Sequence, residues 1–263
     1  MATVTMTRSH GIDREHRFFI VSAIVMTLVV VSGFGLSLAM GRSSFAVPAF
    51  LHVHAFIFFG WTFLYLTQNL LVGTGWVGLH RQLGWLAVGW IPAMVAMGTY
   101  VTVAAARSLH VPFFFQPAYF VVMDPLALYV FAGLATAAIV MRRRTFWHRR
   151  LMFCGMAIVV GPGLGRILPM PLFMPYAGEA VFAAILLFPI AGILYDLRAR
   201  GRIHPAWLWG TGAIVAMQIG IEVMTFSPLG PAIYRGVTAG SPGAEVAPLA
   251  FPPPPWATAK PTP

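Results

Sequence analysis

Apolar residues occur in long runs separated by short polar or arginine-rich stretches. The runs lie at Phe18–Met40, Pro48–Val72, Leu83–Ala105, Ala118–Met141, Leu151–Leu168, Glu179–Tyr195 and Trp207–Met224. Each is near the roughly 20 residues that a helix needs to cross the hydrocarbon core of a bilayer. The pattern predicts an all-α, polytopic membrane protein: a bundle of seven transmembrane helices. It divides the chain into an N-terminal segment (1–17), a transmembrane domain (18–225) and a tail (226–263). The tail is rich in Pro, Gly and Ala, with Pro252-Pro253-Pro254-Pro255, and reads as a disordered or polyproline-like extension. Gly161-Pro162-Gly163 interrupts the fifth run, a break tolerated at membrane depth where protein or water satisfies the freed backbone groups. Pro169, Pro171 and Pro175 crowd the next connection. The first run follows Arg8, Arg14 and Arg17 and is about twice a signal-peptide apolar core, so it reads as a signal-anchor.

The composition agrees: 59% of the 263 residues are hydrophobic and 9% charged, where soluble domains are about a quarter charged. The arginines orient the bundle. Arg8, Arg14, Arg17, Arg81, Arg142, Arg143, Arg144, Arg149, Arg150, Arg198, Arg200 and Arg202 fall on the side of the N-terminus. Arg42, Arg107, Arg166, Arg235 and Lys260 fall on the other. By the positive-inside rule the N-terminus is cytoplasmic and the C-terminus outside. The net charge of +10 does not point to nucleic acid, because the arginines sit in short loops between apolar runs. The partners implied are the lipid bilayer, and a second copy or another membrane protein. The lone Cys154 excludes an intramolecular disulfide.

Ionisable groups at membrane depth are costly and mark sites. Threaded on this topology, the acids collect on the outer side, where His52, His54, Asp124, Arg166, Glu179 and Glu222 all lie. His52 and His54 point about 200° apart on a helix. His54 shares a stripe with Phe58, Trp61, Tyr65 and Gln68, so it is the inward one; His52 aligns with Phe56, Phe59 and Phe63. His54, Asp124 and Glu179 offer one nitrogen and two oxygen donors, a set suited to a metal ion or a proton relay. The alternative is a packing device, in which Arg166 is buried as an ion pair with Asp124, Glu179 or both.

On the inner side, His80-Arg81-Gln82-Leu83 opens the third helix and His148-Arg149-Arg150-Leu151 opens the fifth. The echo suggests a duplicated parallel hairpin. His80 and His148 could hold haem axially or share a metal ion; the competing reading is an interfacial belt in which the following arginines meet lipid phosphates.

The run His54…Trp61…Gln68…His80-Arg81-x-Leu83-Gly84, with His148-Arg149-Arg150-Leu151-Met152, resembles a group of uncharacterised bacterial multipass inner-membrane proteins over residues 50–170. That group brings no function with it. Helix count and histidine placement also resemble b-type cytochromes, which hold haem between histidines of a helical bundle. This implies haem b as a cofactor.

No Walker motif, Gly-x-Ser-x-Gly or His-Glu-x-x-His is present, so nothing identifies an enzyme. Gly161-x-Gly163-x-Gly165 follows no strand and is not a dinucleotide loop. The seventh run has no lysine for a retinal Schiff base. Three functions stay open: a metal- or haem-binding redox component, a proton-coupled carrier with an Asp124/Arg166/Glu179 pathway, and a structural membrane subunit.

Overall fold

The computed structural model describes residues 10–254, with side chains from residue 14. Arg8, Lys260 and the end of the proline run lie outside the described residues. No strand occurs among the described residues. The helices are α1 (His10–Ala39), α2 (Ala49–Gly73), α3 (Val77–Gly84), α4 (Leu86–Arg107), α5 (Pro117–Val140), α6 (Thr145–Val159), α7 (Gly161–Ile167), α8 (Ala177–Arg200), α9 (Pro205–Phe226) and α10 (Leu229–Thr238). Six of them, α1, α2, α4, α5, α8 and α9, are long and apolar enough to cross a membrane. The α6–α7 pair passes the same test as one bent unit. Backbone groups have no water to bond in hydrocarbon, so a chain this apolar satisfies them within helices. The outward faces are apolar as well: Leu28, Phe56, Val88, Leu187 and Val223 are all exposed. This is an integral membrane protein, all-α, with six or seven candidate spans.

The chain alternates between two ends of the bundle. The basic end gathers the start of α1, the short α3, the start of α6, the end of α8 and the start of α9. The distal end gathers the ends of α4 and α9, the start of α5, and α10. The bend of 41° between α6 and α7 falls at the expected Gly161-Pro162-Gly163 break. Pro162 has no N–H to donate, and its ring crowds the carbonyl one turn earlier. The glycine beside it has a separate use. A Cβ on Gly163 would stand 2.9 Å from Val30 Cα, and one on Gly33 would strike the Gly163 carbonyl. Only glycine lets α7 and α1 approach this closely.

Two expectations are corrected here. His80 does not open the long third span but sits on the separate helix α3, joined to α4 through Trp85. The tail is not disordered from residue 226. Residues 229–238 form α10, whose Tyr234 is 1% exposed and packs on Ala106, Ala118 and Val121. Arg107 donates to Val237 O (2.7 Å) and Ala239 O (3.2 Å), which satisfies carbonyls at the C-terminus of α10. Beyond it, Ala118 N–H donates to Pro248 O and the Gln116 amide to Leu249 O. The chain therefore folds back over the distal ends of α4 and α5.

Candidate functional site

His80 and His148 come together at the basic end, with ring centroids 6.2 Å apart and planes at 76°. A helical stripe and a turn position them. Gln68 ends the inward stripe of α2. With its amide assigned from its partners, its nitrogen donates to His80 Nδ1 (2.5 Å) and to His80 O (3.1 Å), and its oxygen accepts from Gly84 N–H (3.0 Å). The Gly84 N–H is a donor only, which fixes the amide's direction. His148 Nδ1 lies 2.8 Å from Ala138 O. A carbonyl only accepts, so His148 carries its proton on Nδ1 and leaves Nε2 as an acceptor. His80 accepts at Nδ1, so in its neutral form it carries its proton on Nε2. The two rings hold complementary tautomers.

They line one cavity of about 90 Å³, shared with His16, Tyr65, Asn69 and Met152. That volume holds a few waters. It lies far below the roughly 300–1,000 Å³ of sites that enclose larger organic ligands, so a porphyrin does not fit it in this form. Burial, then His148 and Arg81, against a hydrogen bond with the Gln68 backbone that works the other way, push the His80 imidazole below its ordinary pKa. The neutral form that the tautomer assignment requires is thereby favoured.

Beside this cavity lies an ion network that sequence reasoning missed. Arg150 and Asp196 are both 0% exposed. Arg150 donates from Nη2 to Asp196 Oδ1 (2.6 Å) and from Nε to Oδ2 (3.0 Å), and Nη2 also reaches Glu15 Oε1 (3.0 Å). Arg149 pairs with Glu15 as well, and Arg200 donates to Glu15 Oε2 at 2.5 Å. Asp196 further accepts from Trp207 Nε1 (3.0 Å) and His204 N–H (3.3 Å). The network ties α1, α6, α8 and α9 together. Two sequence readings fall with it. The acids do not collect on one side, and Arg150 does not face lipid phosphate. Asp196 was visible as the only acid between residues 180 and 221, and Glu15 as an acid set between Arg14 and Arg17.

At the distal end the expected donors separate. Asp124 accepts from Thr102 Oγ1 (3.2 Å). It and His54 both lie within electrostatic reach of Arg166. Arg166 makes no ion pair within 4.0 Å with Asp124 or Glu179; it donates to Pro162 O (2.9 Å) and lies 3.9 Å over the Phe34 ring. Glu179 instead lies near Glu222 and Tyr119. Tyr119 donates to Glu222 (3.2 Å), and the Gln218 amide donates to both Tyr119 Oη (2.9 Å) and Glu222 Oε1 (2.6 Å). Among the described residues no three His, Cys, Asp or Glu side chains gather as a metal-ligand group. The set His54, Asp124 and Glu179 does not converge.

The α2 stripe lies inward: Trp61 and Tyr65 are 3% and 6% exposed, while His52, Phe56 and Phe63 of the other face are exposed. His54 is half-buried and stacks on Phe58.

No protein-family model, curated protein or solved structure matches this chain.

Proposed function

We propose that the chain is a seven-span inner-membrane protein, N-terminus inside and C-terminus outside, that exchanges protons at the His80–His148 pair as part of proton-coupled transport. The observation that carries this reading is the complementary pair of tautomers. One ring presents a donor and the other an acceptor toward a cavity with room for water. His148 can take up a proton from water at Nε2 and release it again with its Nδ1 bond to Ala138 O intact. His80, which could load only at Nδ1 against the Gln68 amide, orients that water as a donor. This suits proton exchange rather than a passive packing contact. The buried Arg150–Asp196 network, two residues from His148 in sequence, ties α6, which carries His148, to α1, α8 and α9.

The test is proton entry into liposomes carrying the purified protein and an internal pH dye, driven by an imposed membrane potential. Flux that falls severalfold in both His80→Gln and His148→Ala supports the reading. Equal flux in wild type, both variants and empty liposomes overturns it.

A second reading has one observation behind it. Two metal–nitrogen bonds of about 2 Å and two ring radii span close to the separation of these imidazoles, and His148 donates its Nδ1–H to a carbonyl as metal-bound histidines do. His80 would ligate through Nε2 with the Gln68 amide turned to accept from its Nδ1. A metal ion held by two histidines is then the centre, with haem b disfavoured by the cavity size. Metal analysis and an absorption spectrum of protein purified without chelator separate the two readings.

A further inference from the structure

The inward face of α2 carries more than its packing explains. His54, Trp61 and Tyr65 lie at relative helical angles within about 40° of one another. His54 Nδ1 and Trp61 Nε1 are buried polar atoms with no protein partner, and Tyr65 Oη has no protein hydrogen bond of good geometry, only the Asn69 side chain standing near it. Trp61 and Tyr65 are more than nine-tenths buried. The orphans continue on the neighbouring helix, where Thr99 Oγ1 of α4 is also unpartnered. Thr99 lies one turn from Thr102, which bonds Asp124. Isolated orphans in hydrocarbon are costly, and the large majority of buried polar groups have a protein or water partner. Three on one face of α2, with Thr99 on the adjacent helix, call for partners, and water can both donate to and accept from such groups.

The seam has defined ends. Its distal end is Asp124, with Thr102 and His54 at similar depth. Its basic end is Tyr65, which lines the His80–His148 cavity. From His54 to Tyr65 is eleven residues, about 16 Å of helix, or roughly half of the hydrocarbon thickness.

We infer that the α2 face carries a hydrated proton path joining Asp124 to the His80–His148 cavity. Its existence is independent of the proposed function; only its cargo rests on that reading. A proton taken up by the Asp124 carboxylate passes to water, and each water or hydroxyl that accepts one proton on a lone pair releases another onward. Thr99 and Tyr65 can do both. Trp61 Nε1 only donates, so it holds a water in place without relaying. The last water delivers its proton to His148 Nε2, the free ring acceptor, and the resulting imidazolium releases that proton again to water at the basic end.

Radiolytic hydroxyl labelling of the purified full chain in ¹⁸O water tests this, because water held beside a ring labels it even where bulk solvent is excluded. Trp207 is the internal control: it is 0% exposed and its Nε1 is bonded to Asp196. The path predicts that Trp61 and Tyr65 are labelled at least severalfold faster than Trp207, and that Thr99→Val slows labelling of Trp61. Trp61 and Tyr65 protected as fully as Trp207 overturns the path, whatever the liposome assay shows. Fast labelling with no proton flux leaves the hydrated path standing and removes the proton-exchange reading.

Discussion

Arg150 and Asp196 form a fully buried, two-pronged ion pair, Nη2 to Oδ1 at 2.6 Å and Nε to Oδ2 at 3.0 Å. Removing one partner of such a pair leaves an uncompensated buried charge, at about 3–5 kcal/mol, whereas replacing both by apolar residues of similar size is often neutral or stabilising. Asp196→Leu or Arg150→Met alone should therefore sharply lower the yield of folded protein from membranes. The double variant should recover a large part of it. Quantitative size-exclusion profiles in detergent check this; a double variant no better than the worse single variant contradicts it.

The topology is tested by reporters. With the N-terminus inside and seven spans, alkaline phosphatase fused after Glu222 should be active, and fused after Arg144 inactive. The reverse pattern, or activity at neither site, removes the proposed orientation.

Acid should weaken the basic end. His204 caps α9, its Nδ1 accepting from Ala206 N–H at 3.1 Å. Burial, then Arg150, push its pKa down, as burial does for His80. A group whose folded-state pKa is depressed binds its proton more readily when unfolded. Stability is therefore full above the ordinary value of 6.5 and falls as pH drops below it. Losing the cap is worth about 1 kcal/mol. Thermal unfolding between neutral pH and pH 5 should show this loss, and His204→Asn, which keeps a capping side chain without titrating, should flatten it. A pH-independent wild type contradicts the assignment.

Arg107 should hold α10 in place. Its charged hydrogen bonds to Val237 O and Ala239 O are each worth about 1.5–3 kcal/mol. Arg107→Ala should raise amide exchange across residues 232–239 while leaving α9 protected. Unchanged exchange there contradicts the role.

The spans were legible because hydrocarbon permits few backbone solutions, and the face of α2 because its period is helical. The break at Pro162 was legible for the same reason: proline's missing donor is local chemistry. The Arg150 network was not. Its partners Glu15 and Asp196 lie 135 and 46 residues away, and a charge rule that orients loops gives no information on which arginine turns inward. The helix α10 hid behind Pro228, Pro231 and four glycines between residues 230 and 243. Its support comes from Arg107, on a helix far back in the chain. His80 and His148 were each legible as candidates. Their tautomers were not, since Gln68 and Ala138 assign them only once α2, α3, α5 and α6 have packed.

The complementary tautomers can be observed directly. Nitrogen-15 spectra of imidazole-labelled protein in lipid, assigned through His80→Gln and His148→Ala, report which ring nitrogen carries the proton. At neutral pH, His80 should be neutral with its proton on Nε2 and His148 neutral with its proton on Nδ1. Two rings in the same tautomer, or two imidazolium rings, would contradict the donor–acceptor pair on which the proposed function rests.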